Sequence, residues 1–212
     1  IPPKPIHTAT SSASLPPKPP LQQPTSGPPA TPRASEFEAA YVREFLLSKS
    51  ELRENGYPEP LADGLIATFG GFSDEACRVG APKLFAIDCE MCLAGEIKQL
   101  ARIAVVDERM KLVIDELVRP EMAVTDYLTR YSGITAELLQ TARLSAADAR
   151  AKLLALLRDA SSPVVLVGHS LENDLQALGV AHDSVLDTAL LYPLQIRSSG
   201  PPCKAPLRAL AL

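Results

Sequence analysis

The sequence predicts an α/β fold, a mixed β-sheet flanked by helices, and three observations carry that expectation. The segment "KLFAIDCE", Lys83 to Glu90, opens as a mostly apolar run of the strand type. "QLARIAVVD" and "KLVIDELVRP" follow as two further strands, and the short polar turn around Glu108–Met110 makes them a hairpin. Beyond them, helical and strand patterns alternate: "AADARAKLLALLRDA", "VVLVG", "SLENDLQALG" and "SVLD". Strands first in a meander and then in alternation with helices give a mixed sheet covered by helices.

Taken in order, residues 1–35 hold 11 of the 20 prolines among Ser, Thr and Ala, a composition that cannot bury a core and reads as a disordered tail. Within it "PPKPP" has the form of a polyproline ligand for a protein partner, although a solvated linker has the same composition. Residues 36–80 read as a helical accessory segment. Ser35 and Glu38 form a capping box, Phe37, Tyr41 and Phe45 recur on one helical face, and Asn55-Gly56 with Pro58 supplies the stop. Between Pro60 and Pro82 only a short helical piece and a loop around Gly70-Gly71 are expected. Residues 81–212 form the main domain. There Ser145 with Asp148 caps a helix that Pro163 stops, "VVLVG" is a strand of the fully buried kind, Gly179 closes the next helix, and Pro206 starts another.

Composition narrows the function. The net charge of −4 falls unevenly: Lys4, Lys18 and Arg33 stand in the tail without an acid, leaving 18 basic and 25 acidic residues in the other 177. A generic polyanion binder is not built this way, so contact with nucleic acid would need local basic side chains or bound metal. No apolar run reaches the length of a membrane helix and no signal-peptide core stands at the start, which predicts a soluble protein without a membrane partner. Cys89 and Cys92 form a C-x-x-C, but no second pair completes a zinc shell, so reduced core cysteines are the expectation.

The strand "FAIDCE" raises a sharper question. Alternation puts Asp88 and Glu90 on one face, about 6.6 Å apart along the backbone, where two ionised carboxylates repel and burial worsens the repulsion. A divalent cation reverses that balance, since carboxylate oxygens suit Mg²⁺; an edge strand facing water would also tolerate the pair. A third acid favours the metal. In "VVLVGHSLENDLQAL" a buried strand runs through Gly168-His169 into a helix whose first turns carry Asn173 and Asp174. Three acids from a strand and a neighbouring helix make a two-metal site for phosphodiester chemistry plausible.

These strings also carry a resemblance. "FAIDCEMC", "ARIAVVDERMKLVIDELVRPEMAVTDYLTRYSGIT", "VLVGHSLENDLQAL" and "VLDTALLYP" occur in this order and resemble the Rex-type RNA exonucleases, a branch of the DnaQ-like (DEDDh) 3′–5′ exonucleases that plant small-RNA-degrading nucleases approach closely. The likeness covers residues 83–212. It implies an RNase H-like sheet, two Mg²⁺ or Mn²⁺ ions, a nuclear location, and RNA with a free 3′ end as substrate. Carried over, Asp88 would bridge both metals, Glu90 would bind one and orient the attacking water, and Asp174 would support the second. Met91 and Cys92 would pack the terminal nucleotide, with His169 and Asn173 lining the same pocket. Arg130, Tyr131 and "SGIT" would shape the site.

The family pattern ends with H-x-x-x-x-D on a late helix, supplying the general base and a fourth acid. The residues through Leu212 end inside "KAPLRALAL", the segment expected before it. The expectation is therefore an exonuclease domain incomplete at its C-terminus and of reduced activity, because a lost general base costs roughly 10²–10⁴ in rate. His182 and Asp187 have the same spacing but fall too early, and Asp187 reads instead as a cap for the turn at Thr188. The competing class is a non-catalytic RNA-binding or interaction module on the same scaffold. A phosphotransferase with an aspartate nucleophile fits less well because Glu90 replaces the second Asp, and no phosphate-binding glycine loop is present.

Overall fold

A computed structural model of the chain describes residues 40–59, 65–73, 81–158, 162–194 and 203–210, all within the unit Pro32–Leu212. The Ser35–Glu38 capping box and the proline-rich tail lie outside the described residues. The first described turn, 40–43, is helical, and the Tyr41 and Phe45 rings meet edge to face at 5.1 Å. The helix does not run on to Asn55 as the pattern predicts. Leu47 is pulled into the core, where its N–H donates to Val185 O at 2.9 Å, and Ser48 starts a new helix, α1 (Lys49–Glu54), through a capping box with Glu51. Its stop is the expected one: Asn55 is the C-cap and Gly56 has φ 75.

A second difference follows. Ile66–Thr68, expected as loop or helix, is a strand (β1) in parallel pairing with Val180–His182. Three residues offer too short a pattern to reveal a strand whose partner lies more than a hundred positions away. Just beyond it Gly70 accepts the Val164 N–H at 2.7 Å and donates to Asp183 Oδ1 at 2.7 Å.

The main strands match the sequence pattern. β2 (Lys83–Ala94) and β3 (Ile97–Asp107) form a hairpin, and β4 (Leu112–Leu117) continues it antiparallel. Two short helices, α2 (Thr129–Ser132) and α3 (Ala136–Gln140), lead to α4 (Ala146–Arg158). At its start Ser145 N–H donates to Asp148 Oδ2 at 2.9 Å while Ser145 Oγ accepts the Asp148 N–H at 3.1 Å, the predicted box. Then come β5 (Val164–Gly168), α5 (Glu172–Leu178), β6 (Val180–His182), β7 (Val185–Asp187) and α6 (Thr188–Leu191). β8 (Pro193–Leu194) pairs with β9 (Cys203–Lys204), followed by the turn of helix α7 (Leu207–Leu210).

Among the described residues five strands make the central sheet, in the order β4-β3-β2-β5-β7. β3 and β4 run antiparallel to their neighbours, and β2, β5 and β7 are mutually parallel. This is the mixed sheet expected. The larger core sits on the face where Phe85, Ile87, Cys89, Ile103 and Val105 meet Leu153 and Leu157 of α4 and Leu175 and Leu178 of α5. Leu47 and Tyr57 of the N-terminal segment join that core. A smaller one, with Cys92, Ala101, Ile134 and Leu139, lies where α2 and α3 cover the far end of β2. No helix among the described residues is long and apolar enough to cross a membrane.

The glycine at position 70 yields a direct test. A Cβ there would lie 2.3 Å from Val164 O and 2.3 Å from Ser184 Oγ, and the backbone on both sides is hydrogen-bonded. Gly70→Ala is expected to destabilise by roughly 1–3 kcal/mol through overpacking, read as a lower denaturation midpoint. Gly71→Cys or another side chain at 71 meets open space but pays for its left-handed backbone, so the clean comparison is Gly70→Ala against wild type.

Candidate active site

β2 pairs with β5 only from Lys83↔Val164 to Ala86↔Val167. Beyond that point β2 runs on without a partner on this side. Its Lys83 N–H points towards β5 and donates to Pro163 O at 2.8 Å, and with a period of two the Cys89 N–H points the same way. No strand is there to accept it. Asp174, near the start of α5, does so: Cys89 N–H donates to Asp174 Oδ1 at 2.7 Å. A single hydrogen bond thereby brings the third acid to the backbone between Asp88 and Glu90.

The three acids line one open cavity of about 340 Å³ together with Met91, His169 and Asn173. Six of the seven residues singled out in the sequence are thus brought to one place. Cys92 is not among them. It shares the strand face of Asp88 and Glu90, but α2 and α3 have closed over that face, so Cys92 is fully buried against Ala101, Ile134 and Leu139. Cys89 points to the opposite face, as alternation requires, and is buried in the larger core; burial pushes its thiol well up, helped by the charges of Asp174 and Asp88. Both cysteines are free. Beside the acids β3 carries one extra residue, Ala101, since Glu90 faces Arg102 and Met91 faces Leu100. Such a bulge re-aims the strand locally.

The electrostatics are those of carboxylates short of positive charge. Burial pushes Asp174 up to about 7, with the Asp88 charge adding to it and the Cys89 N–H bond opposing it. Burial also raises Asp88 and Glu90; the Asp88 charge raises Glu90 further, and the Arg102 guanidinium draws both down. Arg102 cannot neutralise three acids, because its fork is held by Asp115 at 2.7 and 2.9 Å. The donor set is all carboxylate oxygen, which suits Mg²⁺ or Mn²⁺ in kind. Its spacing is open: among the described residues no three Asp, Glu, His or Cys side chains stand close enough together to enclose a metal ion.

The surrounding loop is held from behind. Thr188 Oγ1 donates to Gly168 O at 2.9 Å and lies 3.0 Å from His169 Nδ1. With its proton on the carbonyl, the hydroxyl accepts from Nδ1–H, which fixes the orientation of the His169 ring. Ser170 adopts φ 58, and its N–H donates to Asp187 Oδ1 at 2.9 Å. Asp187 also caps α6 through the Ala189 N–H at 2.9 Å and accepts the Tyr57 hydroxyl at 2.7 Å. It is a structural acid, as its place before Thr188 predicts. His182 is held elsewhere, 2.8 Å from Thr68 Oγ1 and 3.4 Å from Val164 O; burial lowers its pKa, and neither it nor Asp187 lines the cavity. The H-x-x-x-x-D spacing of "HDSVLD" therefore assembles no second acid–base pair.

Six further residues line the cavity without having been singled out as binding: Cys89, Lys98, Leu128, Tyr131, Ser132 and Ser170. Lys98 Nζ lies 3.4 Å from Asn173 Oδ1. A lysine on an exposed strand end gives no sequence signal, because it enters the site through the β2–β3 turn rather than through a motif.

No family model matches the chain. Individual proteins do. Human "RNA exonuclease 5" is 41% identical over 160 residues, 73% of this chain and 19% of that protein. "RNA exonuclease 1" of Saccharomyces cerevisiae is 35% identical over 171 residues, covering 80% and 30%. "Exonuclease GOR" of the chimpanzee Pan troglodytes is 40% identical over 149 residues, covering 70% and 20%. The chain thus spans under a third of the length of these relatives. Among solved structures, the Saccharomyces cerevisiae Pan2 pseudoubiquitin hydrolase–RNA exonuclease module in complex with AAGGAA RNA superposes with a TM-score of 0.50 at 29% identity, over 61% of this chain and 24% of that one. The Neurospora crassa Pan2 catalytic unit gives a TM-score of 0.50 at 21% identity, over 74% and 26%, a likeness of fold alone. The sheet order, the placement of the acids and these relatives agree: the domain has the RNase H-like exonuclease fold, and the chain belongs to the Rex-type RNA exonuclease family.

Proposed function

We propose that this domain is a metal-dependent 3′–5′ exoribonuclease that trims RNA ends by hydrolysing the terminal phosphodiester. The observation that carries the reading is the Cys89 N–H···Asp174 bond, which gathers Asp88, Glu90 and Asp174 around one open cavity. Relatives named RNA exonucleases support the substrate class.

Asp88, Glu90 and Asp174 would hold the cations, two Mg²⁺ or Mn²⁺ ions in this reading. Bound there, they would polarise the phosphate, ease deprotonation of the attacking water and offset charge on the leaving oxygen. The chain's own groups supply the rest. Glu90, raised by burial and by Asp88, is placed to orient the water. Lys98, at the cavity wall, presents a cation to a phosphate oxygen. Met91, half-buried beside Glu90, offers an apolar contact for the terminal nucleotide. Asn173, at 3.4 Å from Lys98 Nζ, and His169, oriented through Thr188, add polar contacts on the other wall. In the reaction water adds to phosphorus, the bond from phosphorus to the 3′ oxygen breaks, and that oxygen leaves with a proton, releasing a nucleoside 5′-monophosphate.

A second reading, an RNA-binding module without catalysis, is favoured by one feature: no three acidic, His or Cys side chains among the described residues enclose an ion. Trimming of a 5′-labelled single-stranded RNA in Mn²⁺ separates the two. The nuclease reading expects a ladder that shortens from the 3′ end. Asp88→Asn and Asp174→Asn should each slow it by roughly 10²-fold or more, since metal stabilisation supplies several kcal/mol and each 1.36 kcal/mol is tenfold. Cys92→Ser, altered only in the core, should affect stability rather than the ladder pattern. RNA bound but left intact would establish the module instead.

Metal binding gives a readout independent of turnover. Asp174 sits at about 7 in the folded protein against an ordinary 3.8, so between those values the folded state keeps a proton that the unfolded state has lost. Without metal, Asp174's contribution to stability is therefore fullest below the lower value and is lost as pH rises from there through 7. Cations need the ionised form, so Mn²⁺ should raise the melting temperature more at pH 8 than at pH 6. Asp174→Asn should flatten both trends; an equal Mn²⁺ effect at the two pH values would argue against Asp174 as a ligand.

A further inference from the structure

Tyr131 stands at the rim of the acid cavity with 81% of its surface exposed. A large aromatic left in water beside a cluster of carboxylates buries nothing, yet its mount is built with care. Leu128, just before α2, is in the left-handed region at φ 50, and Gly133, just after it, is at φ 64. Ser132 Oγ donates to Tyr127 O at 2.9 Å and accepts the Ile134 N–H at 3.0 Å, and Thr129 Oγ1 donates to Ile134 O at 2.5 Å. Asp126 ties this turn to β2, accepting the Leu93 N–H at 2.7 Å on its carbonyl and the Leu128 N–H at 2.8 Å on its side chain. The Arg130 guanidinium lies 5.9 Å from the centre of the Tyr131 ring, a cation–π contact that takes one face and leaves the other. A left-handed leucine costs free energy, and here it serves to hold an aromatic out rather than in.

We propose that Tyr131 is a stacking platform for an unpaired nucleobase near the 3′ end of the strand whose terminal phosphodiester lies at Asp88, Glu90 and Asp174. This deepens the exoribonuclease reading and rests on it. Bases of any sequence stack on an exposed aromatic, and a ring fixed by its backbone loses little conformational freedom on binding. The occupant is a single strand, because a paired base has both faces covered by its neighbours. The rest of the strand has room to continue: Ser132 also lines a second cavity of about 560 Å³, whose wall carries Arg143 and Arg102 alongside Asp115 and Glu116.

The test uses an eight-nucleotide oligoadenylate labelled with fluorescein at its 5′ end, and a second set with 2-aminopurine at successive positions from the 3′ end. All proteins carry Asp88→Asn to prevent trimming. Tyr131→Ala should weaken binding roughly tenfold, from the usual worth of one base–aromatic stack, while Tyr131→Phe keeps it within about twofold. In the parent, 2-aminopurine should be quenched at one position, and that quenching should vanish with Tyr131→Ala at an unchanged melting temperature. A blunt duplex should bind equally to parent and variant. The platform is overturned if Tyr131→Ala binds and quenches like the parent, or if Tyr131→Phe loses as much as Tyr131→Ala. If neither this parent nor the protein with Asp88 intact binds or trims the RNA, the exoribonuclease reading itself fails, and the platform with it.

Discussion

The Cys89 N–H is the point on which the site turns. β2 outruns its parallel neighbour at Ala86, and a buried backbone donor left without an acceptor costs about 1–3 kcal/mol. Asp174 accepts it at 2.7 Å, so the need to satisfy a strand's unpaired edge and the need to gather acids are met by one contact. α5 can make it only if the loop 168–171 delivers the helix at the right angle. That angle depends in turn on Asp187, whose carboxylate accepts from Ser170, Ala189 and Tyr57. The Tyr57 hydroxyl is correspondingly held in its protonated form by burial and by the adjacent carboxylate. The N-terminal segment is in this way part of the support of the site rather than an appendage to it.

Around that contact the protein accepts an electrostatic cost. Asp88, Glu90 and Asp174 are all raised by burial, and the nearest guanidinium, Arg102, is already paired with Asp115. A chain selected for stability alone would pair these acids or replace them. Clustered carboxylates that repel in the free protein are what a site for cations requires, since the repulsion is relieved when the cation binds. The strain at Leu128 and Ser170, both non-glycine residues with positive φ, lies on the two walls of the same cavity. Two of the three such residues among the described ones thus stand at the site, while the third, Met110, belongs to the β3–β4 turn.

Much of the scaffold was legible because its signals are local. The β3–β4 turn closes through Asp107, whose Oδ1 accepts the Arg109 and Lys111 N–H groups at 2.9 Å each; the Ser145–Asp148 box and the Gly179 cap at φ 66 act within a few residues. The acids were legible for a related reason: Asp88 and Glu90 share a strand face by periodicity, and Asp174 follows a strand-to-helix motif. Cys92, carried over from the resemblance, lies apart from the cavity in the smaller core, because periodicity tells which face a residue takes but not what covers that face. From Asp88 to Glu90 the face is open; two residues later, at Cys92, α2 and α3 lie over it. The helix break at Leu47 escaped for a similar reason, as its cause is the carbonyl of Val185.

The amino-acid sequence by itself determined the order of the elements, the caps that bound them and the types of side chain offered to the site, because propensity, alternation and capping act between residues close along the chain. Tertiary structure alone decided which of those side chains meet. The pairing of β1 with β6, the bond from Tyr57 to Asp187 across 130 positions, the entry of Lys98 into the cavity and the exposure of Tyr131 at its rim all depend on long-range closure. Such contacts form only when the whole core packs, and no local pattern records them.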